Sequence, residues 1–364
     1  MPLKNLFLLC AAIPAFISCN STVNRIFGTK KTPHEAYADK VENNPAGKQW
    51  LDVSKNVLET PQVIKLPHSL LGYFPAGKPR ALALQFTAKR GERINFDLVK
   101  STGAAYVMYA DVYKLDQTGV VHLLSADTAN PLFAFDAEET AEYILRLQPE
   151  LDHSAEYRLS VSVLPSLGFP VAGTKARVGS VWGDSRDGGK RSHEGIDIFA
   201  AKLTPAIAAA DGYISRVNDG GLGGKTINLK VADRNISLYY AHLDKQLVEE
   251  GQQVRKGDTL GLVGNTGNAK TTPPHLHFGI YAYGGPIDPL PFVNKTVKTA
   301  PAPVAKKLNQ QLSLVKAIKT KANETVNANT LLTPLALTAD GYIAELPDGT
   351  IITTPFKAVK AVKS

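Results

Sequence analysis

His275 and His277 stand two residues apart in the apolar, aromatic run P-P-H-L-H-F-G-I-Y. If that run is a strand, both imidazoles project from one face, roughly 7 Å apart along it. One can then bind a metal while the other works beside it. A second pair lies upstream in R-S-H-E-G-I-D-I, where the chain from Glu194 through Gly195 to Asp197 reads as a turn entering a strand. Positions four apart share a face of a strand, so His193 and Asp197 can converge. His242 is a fifth candidate: it follows Ile236, Leu238 and Tyr240 in I-S-L-Y-Y-A-H-L and is expected on their face, at a strand end.

A catalytic zinc site needs three nitrogen or oxygen ligands from the protein and one open position for a water. Two imidazoles and one carboxylate meet that need, with one acid/base left over. Any of these histidines alone reads as a hydrogen-bonded structural or surface residue. With eight histidines in the chain, an H-x-H or an H-x-x-x-D by itself is weak. Both in order, with a Y-x-H between them in one β-rich, glycine-punctuated stretch, outweigh chance. His34, His68, His122 and His153 are scattered in other segments and read as structural.

The stretch from about Val178 to Pro289 closely resembles the lysostaphin-type (LytM-like) zinc metallopeptidases. The matching residues are V-W-G-D-S-R-D-G-G-K-R-S-H-E-G-I-D-I-F-A (181 to 200), Y-Y-A-H-L (239 to 243), V-R-K-G-D-T-L-G-L-V-G-N-T-G (254 to 267) and P-P-H-L-H-F-G-I-Y (273 to 281). The resemblance implies that His193, Asp197 and His277 bind one zinc ion per chain, with His242 and His275 as the catalytic pair. Many members carry an acidic residue where Gly279 stands, a departure that touches no ligand. The implied chemistry is attack of an activated water on a peptide carbonyl. One of His242 and His275 would take the proton and the other would donate a hydrogen bond to the oxyanion, the two assignments being open.

G-L-V-G-N-T-G-N-A-K-T-T-P-P delivers the chain to His275 and is expected to wall a narrow groove suited to glycine- and alanine-rich peptides. V-R-K-G-D-T-L-G-L-V also resembles the hairpins of biotinyl and lipoyl carriers, but with methionine only at Met1 and Met108 there is no Met-Lys-Met to modify.

Residues 1–18 read as an export signal, with Lys4 before an apolar run too short for a stable span. Phe16-Ile-Ser-Cys19 resembles a bacterial lipobox, which implies lipid attachment at Cys19. The chain has two cysteines, Cys10 inside the signal and Cys19, so the exported protein would keep one and form no internal disulfide. The expected address is the bacterial cell envelope, lipid-anchored outside the cytoplasm at the outer membrane or periplasm.

Residues 19–58 are polar and read as a tether, with Thr32-Pro33 as a helix start. Short alternating runs over 59–165 predict a β-sandwich or jelly roll, weakly resembling pre-peptidase C-terminal domains, with Asp136, Glu138 and Glu139 in a solvated turn. Residues 166–294 hold the metallopeptidase motifs. Residues 295–364 read as a basic linker, a weak helix over 308–322, and a hairpin around Pro347-Asp-Gly349. From Lys298 onward nine lysines face four acidic residues, so most of the net charge of +8 lies there. That surplus suits anionic wall polymers, whereas no aromatic-interleaved basic stripe points to nucleic acid.

The expected fold class is all-β: an antiparallel lysostaphin-like (duplicated hybrid motif) metallopeptidase domain preceded by a β-sandwich. The expected function is a zinc-dependent endopeptidase cutting peptidoglycan stem peptides or cross-bridges. Two other roles fit parts of the pattern, a non-enzymatic envelope scaffold that activates a wall amidase and a protease for secreted proteins. Scaffold members usually lack a metal ligand, and this chain lacks none.

Overall fold

The structure, a computed structural model, describes residues 31–101, 105–297, 299–304, 306–320 and 323–362. The expected signal and Cys19 lie outside the described residues. Among the described residues no helix is long and apolar enough to cross a membrane.

Thr32 opens the first helix, Pro33–Val41: its hydroxyl accepts the Glu35 N–H at 3.2 Å, and its own N–H donates to the Glu35 carboxylate at 2.8 Å. This reciprocal cap satisfies donors that a helix start leaves open. The second helix, Pro45–Glu59, buries Trp50, Ser54 and Val57, whose spacing of four and three puts them on one face. Trp50 Nε1–H donates to the Pro149 carbonyl at 2.8 Å, and the His34 ring stacks on the indole with centroids 4.4 Å apart. The expected tether is therefore, from residue 33 on, a helical cap docked on the strand Ala141–Pro149. Its few large apolar side chains outweigh its polar composition.

Two sheets form the sandwich. One runs, edge to edge, Gln62–Val63, Leu82–Ala88, Ala141–Pro149, Met108–Asp116, Gly119–Ser125. The other runs Ile351–Pro355, Gly341–Glu345, Leu331–Leu337, His68–Phe74, Ala155–Pro165, Glu92–Lys100, Leu132–Asp136. Leu82, Leu84 and Phe86 on one sheet meet Ile94, Phe96 and Leu159 from the other, each inward by the two-residue period of a strand.

Three strands of the second sheet come from the C-terminal segment, which was expected to be a linker and tail. Leu71 pairs with Leu337, and Leu335, Ala336 and Ile343 enter the sandwich core. The hairpin around Gly349 is present, at Gly341–Glu345 and Ile351–Pro355. The weak helix over 308–322 is not: Leu312–Leu314 is a buried strand between Leu331–Leu337 and Val359–Ala361. Leu312 and Leu314 alternate around Ser313, a period of two that pairing rewards.

The chain thus leaves the sandwich after residue 165, builds a second domain, and returns. The second domain has its own core, from Leu167 to Val293. Its antiparallel sheet runs Arg177–Ser180, Ile196–Phe199, His275–Ala282, Ile236–Gln246, Lys225–Val231, Gly212–Asp219, Gln253–Val254. Arg234 fastens the two domains: its guanidinium lies 3.1 Å from Glu138, 3.9 Å from Asp136 and 5.5 Å from the centre of the Phe292 ring. Asp136 and Glu138 are therefore interface residues, while Glu139 pairs with Lys114.

Candidate metal centre and its groove

Strand pairing assembles most of the site. Asp197 sits directly opposite His277, and Phe199 opposite His275, in the antiparallel pair Ile196–Phe199 and His275–Ala282. Ile196, Ile198, Leu276, Phe278 and Ile280 point into the core, so Asp197, His275 and His277 all face the other side. His193 reaches them from the turn before the strand. Gly195 makes the close approach possible, since a Cβ there would lie 2.6 Å from the Phe278 carbonyl oxygen and 2.7 Å from His277 Cε1.

His193 Nε2 is 3.1 Å from Asp197 Oδ1 and 3.0 Å from His277 Nδ1, and His277 Nδ1 is 3.1 Å from the same Asp197 oxygen. Four-coordinate zinc with bonds near 2.0–2.1 Å sets its ligand atoms about 3.3 Å apart, so this triangle fits a single small cation. His193 Nδ1–H can donate to the Val181 carbonyl at 2.9 Å, which leaves the Nε2 lone pair for a metal. Burial would raise the Asp197 pKa, but hydrogen bonds and charge from His193 and His277 outweigh it and hold the carboxyl well below its usual range. Among the described residues this is the one group of three such side chains with ligand atoms mutually within reach of one ion.

His242 corrects the sequence-based expectation. Ile236, Leu238 and Tyr240 are core residues, and strict alternation would bury His242 with them. Instead His242 has φ +61°, and the register with Lys225–Val231 slips between Ile227 and Lys225. Parity flips there, so Leu243 takes the core position while His242 joins Tyr239 and Ala241 in the groove. A left-handed non-glycine residue costs about 1–3 kcal/mol, held here by His242 N–H donating to Gly223 and by the ring bonding Thr266.

The His242 and His275 rings are 5.1 Å apart, and His275 Nε2 is 4.0 Å from Asp197 Oδ1. Nδ1 of each ring is 2.9 Å from a backbone carbonyl oxygen, Thr266 for His242 and Pro273 for His275. With Nδ1–H so committed, either ring in its neutral form would present Nε2 as an acceptor. Burial pushes the His242 pKa down to about 4, helped by His275 and His277, so the ring is neutral at pH 7.

A groove of about 590 Å³ runs over the cluster. Asn268, Ala269, Thr272 and Pro273 form one wall, from the loop expected there, and Tyr239 and Tyr281 form another side. All its lining residues lie between Ser180 and Tyr281. Arg186 also lines it, with its guanidinium 2.8 Å from Asp197 Oδ2. Arg186 and Tyr281 both fall inside the motif stretches, but neither has a spacing that singles it out as a groove residue.

Residues 191–289 match the profile described as Peptidase family M23. This segment is an M23 peptidase domain. The chain is 36% identical over 124 residues to the L-Ala--D-Glu endopeptidase of Bacillus subtilis, across 31% of this chain and 38% of that protein. It is 30% identical over 139 residues to the peptidoglycan DD-endopeptidase ShyC of Vibrio cholerae, across 38% of this chain and 27% of that protein. It therefore spans less than two fifths of either relative. The catalytic domain of lysostaphin from Staphylococcus simulans is 32% identical, covering 32% of this chain and 90% of that one at a TM-score of 0.30. In the M23 domain, Gly279 lies opposite Tyr239, one row from His277, and a Cβ there would come within 3.2 Å of the Tyr281 ring and 3.3 Å of the Glu194 carbonyl oxygen.

Proposed function

We propose that the chain is a zinc-dependent endopeptidase that hydrolyses peptide bonds in peptidoglycan stems or cross-bridges. The observation that carries this is the triangle of His193 Nε2, Asp197 Oδ1 and His277 Nδ1, with sides of 3.0 to 3.1 Å, beside two further imidazoles in an open groove. Zinc bound by these three residues would act as a Lewis acid and bring a water's pKa towards about 7. His242 and His275 can each accept a proton at Nε2 and return it to the leaving amine. Because their Nδ1–H groups are committed to backbone carbonyls, either ring would donate to an oxyanion only after taking up that proton.

Two relatives named as endopeptidases, one of them of peptidoglycan, support the substrate. We further propose that Cys19 carries a lipid and that the chain works in the cell envelope, outside the cytoplasm. The lysines after residue 297 would then meet anionic wall polymers. Isolated peptidoglycan offered to the purified protein tests the substrate. New amino ends that vanish with a chelator and return with zinc are expected. Zinc-loaded protein that leaves peptidoglycan intact but cuts glycine-rich proteins would replace this substrate with a protein one.

A further inference from the structure

A second cavity, of about 280 Å³, adjoins the M23 groove and shares its walls Tyr239 and Tyr281; Arg216, Asn218, Thr226 and Asn228 complete it. Strand register explains the placement. Arg216 lies opposite Asn228, Asn228 opposite Tyr239, and Tyr239 opposite Gly279, so one row crosses four strands on the groove face. The adjoining row holds Asp197, His277 and Ala241. The Tyr239 ring lies edge-on to both His277 and Tyr281, at 6.0 and 6.1 Å, and forms the divide between metal cluster and cavity.

The lining has one cation, two amides, three hydroxyls and no carboxylate. Among the described residues Arg216 has no hydrogen-bond or ion-pair partner, unlike Arg186 and Arg234, which are held by Asp197 and by Glu138. A guanidinium with open donors is suited to a planar anion, which it can grip through two parallel bonds. Three strand spacings, about 14 Å, separate the Arg216 and Gly279 backbones, and the arginine side chain spans part of that distance. An extended peptide rises about 3.4 Å per residue. We propose that this cavity is a carboxylate-binding subsite, in which Arg216 holds a free carboxylate of the substrate peptide about two to three residues from the bond that is cut.

The inference rests on the endopeptidase proposal for its substrate, and the two can fail separately. Soluble stem peptides from peptidoglycan, as free acids and after conversion of their carboxylates to carboxamides, are titrated into the zinc-loaded full chain. The wild type should bind the acid form about tenfold more tightly, and Arg216→Gln should bring the two forms to within about twofold. Arg216→Lys should keep part of the preference, as a point charge without the fork. A preference that survives Arg216→Gln, equal binding of both forms by the wild type, or no binding of either would overturn the subsite. The same preparations are assayed for peptide release: preference without release defeats the endopeptidase proposal alone, and release without preference defeats the subsite alone.

Discussion

Two buried histidines in this chain, His34 in the helical cap and His242 in the groove, are alike in burial and in the direction of their pKa shift and opposite in consequence. They are 5% and 8% exposed, and burial lowers the pKa of both. His34 is boxed by Trp50 and Tyr109, with Nε2 spent on Gln148 at 2.8 Å. His242 spends Nδ1 on a carbonyl and has two other imidazoles, His275 and His277, and the Asp197 carboxylate beside it. Burial and a shifted pKa therefore do not mark a functional histidine. Convergence of open ligand atoms does.

The largest contrast should come from His193→Ala, which opens the triangle: bound zinc should fall from one per chain to near none and peptide release by about 10⁴-fold or more. Bound zinc by metal analysis and initial rates check both. His242→Ala and His275→Ala should instead keep zinc while turnover drops about 10²- to 10⁴-fold. Normal turnover in either would remove that ring from the chemistry. Gly195→Ala leaves all five site residues in place but drives a methyl into His277, so a competition titration should show zinc affinity weakened by about tenfold or more. Unaltered affinity would mean that close approach is not what builds the site.

His34→Ala should do the reverse, leaving zinc and turnover intact while destabilising the fold by about 2–3 kcal/mol in denaturant titration, through lost stacking and a lost hydrogen bond. The smallest effect is in pH. The folded pKa of His34 lies below the ordinary 6.5, chiefly through burial and then the charge of Arg146. Its stabilising contribution is complete above pH 6.5 and lost progressively as the pH falls from there through the folded value. The slope is at most about 1.4 kcal/mol per unit. A His34→Gln chain should lack that part of the slope; identical slopes would mean that His34 is not protonated on unfolding.

The sequence was readable where a short period decides the structure. Two-residue alternation placed Asp197, His275 and His277 on strands, and alternating runs with turn residues announced the sandwich. It misplaced His242 because one residue at φ +61° reverses the alternation, and nothing in Y-Y-A-H-L marks where parity breaks. It also missed that Leu331–Leu337 pairs with His68–Phe74, a register fixed by contacts across most of the chain's length. One practical result is that deleting everything after Val297 would strip Leu335, Ala336 and Ile343 from the sandwich core. Wall binding by the basic segment is better tested by neutralising Lys306 and Lys307, which are surface residues beside Phe356. Unchanged sedimentation with isolated walls at low salt would then discount them.

The most direct measurement is bound zinc and peptidoglycan peptide release on the same preparations of wild type, His193→Ala and His34→Ala. One zinc per chain with release in the wild type and His34→Ala, and neither in His193→Ala, is the expected result. Release by His193→Ala without bound zinc, or a wild type that holds no zinc, would contradict the metal centre on which the proposed function rests.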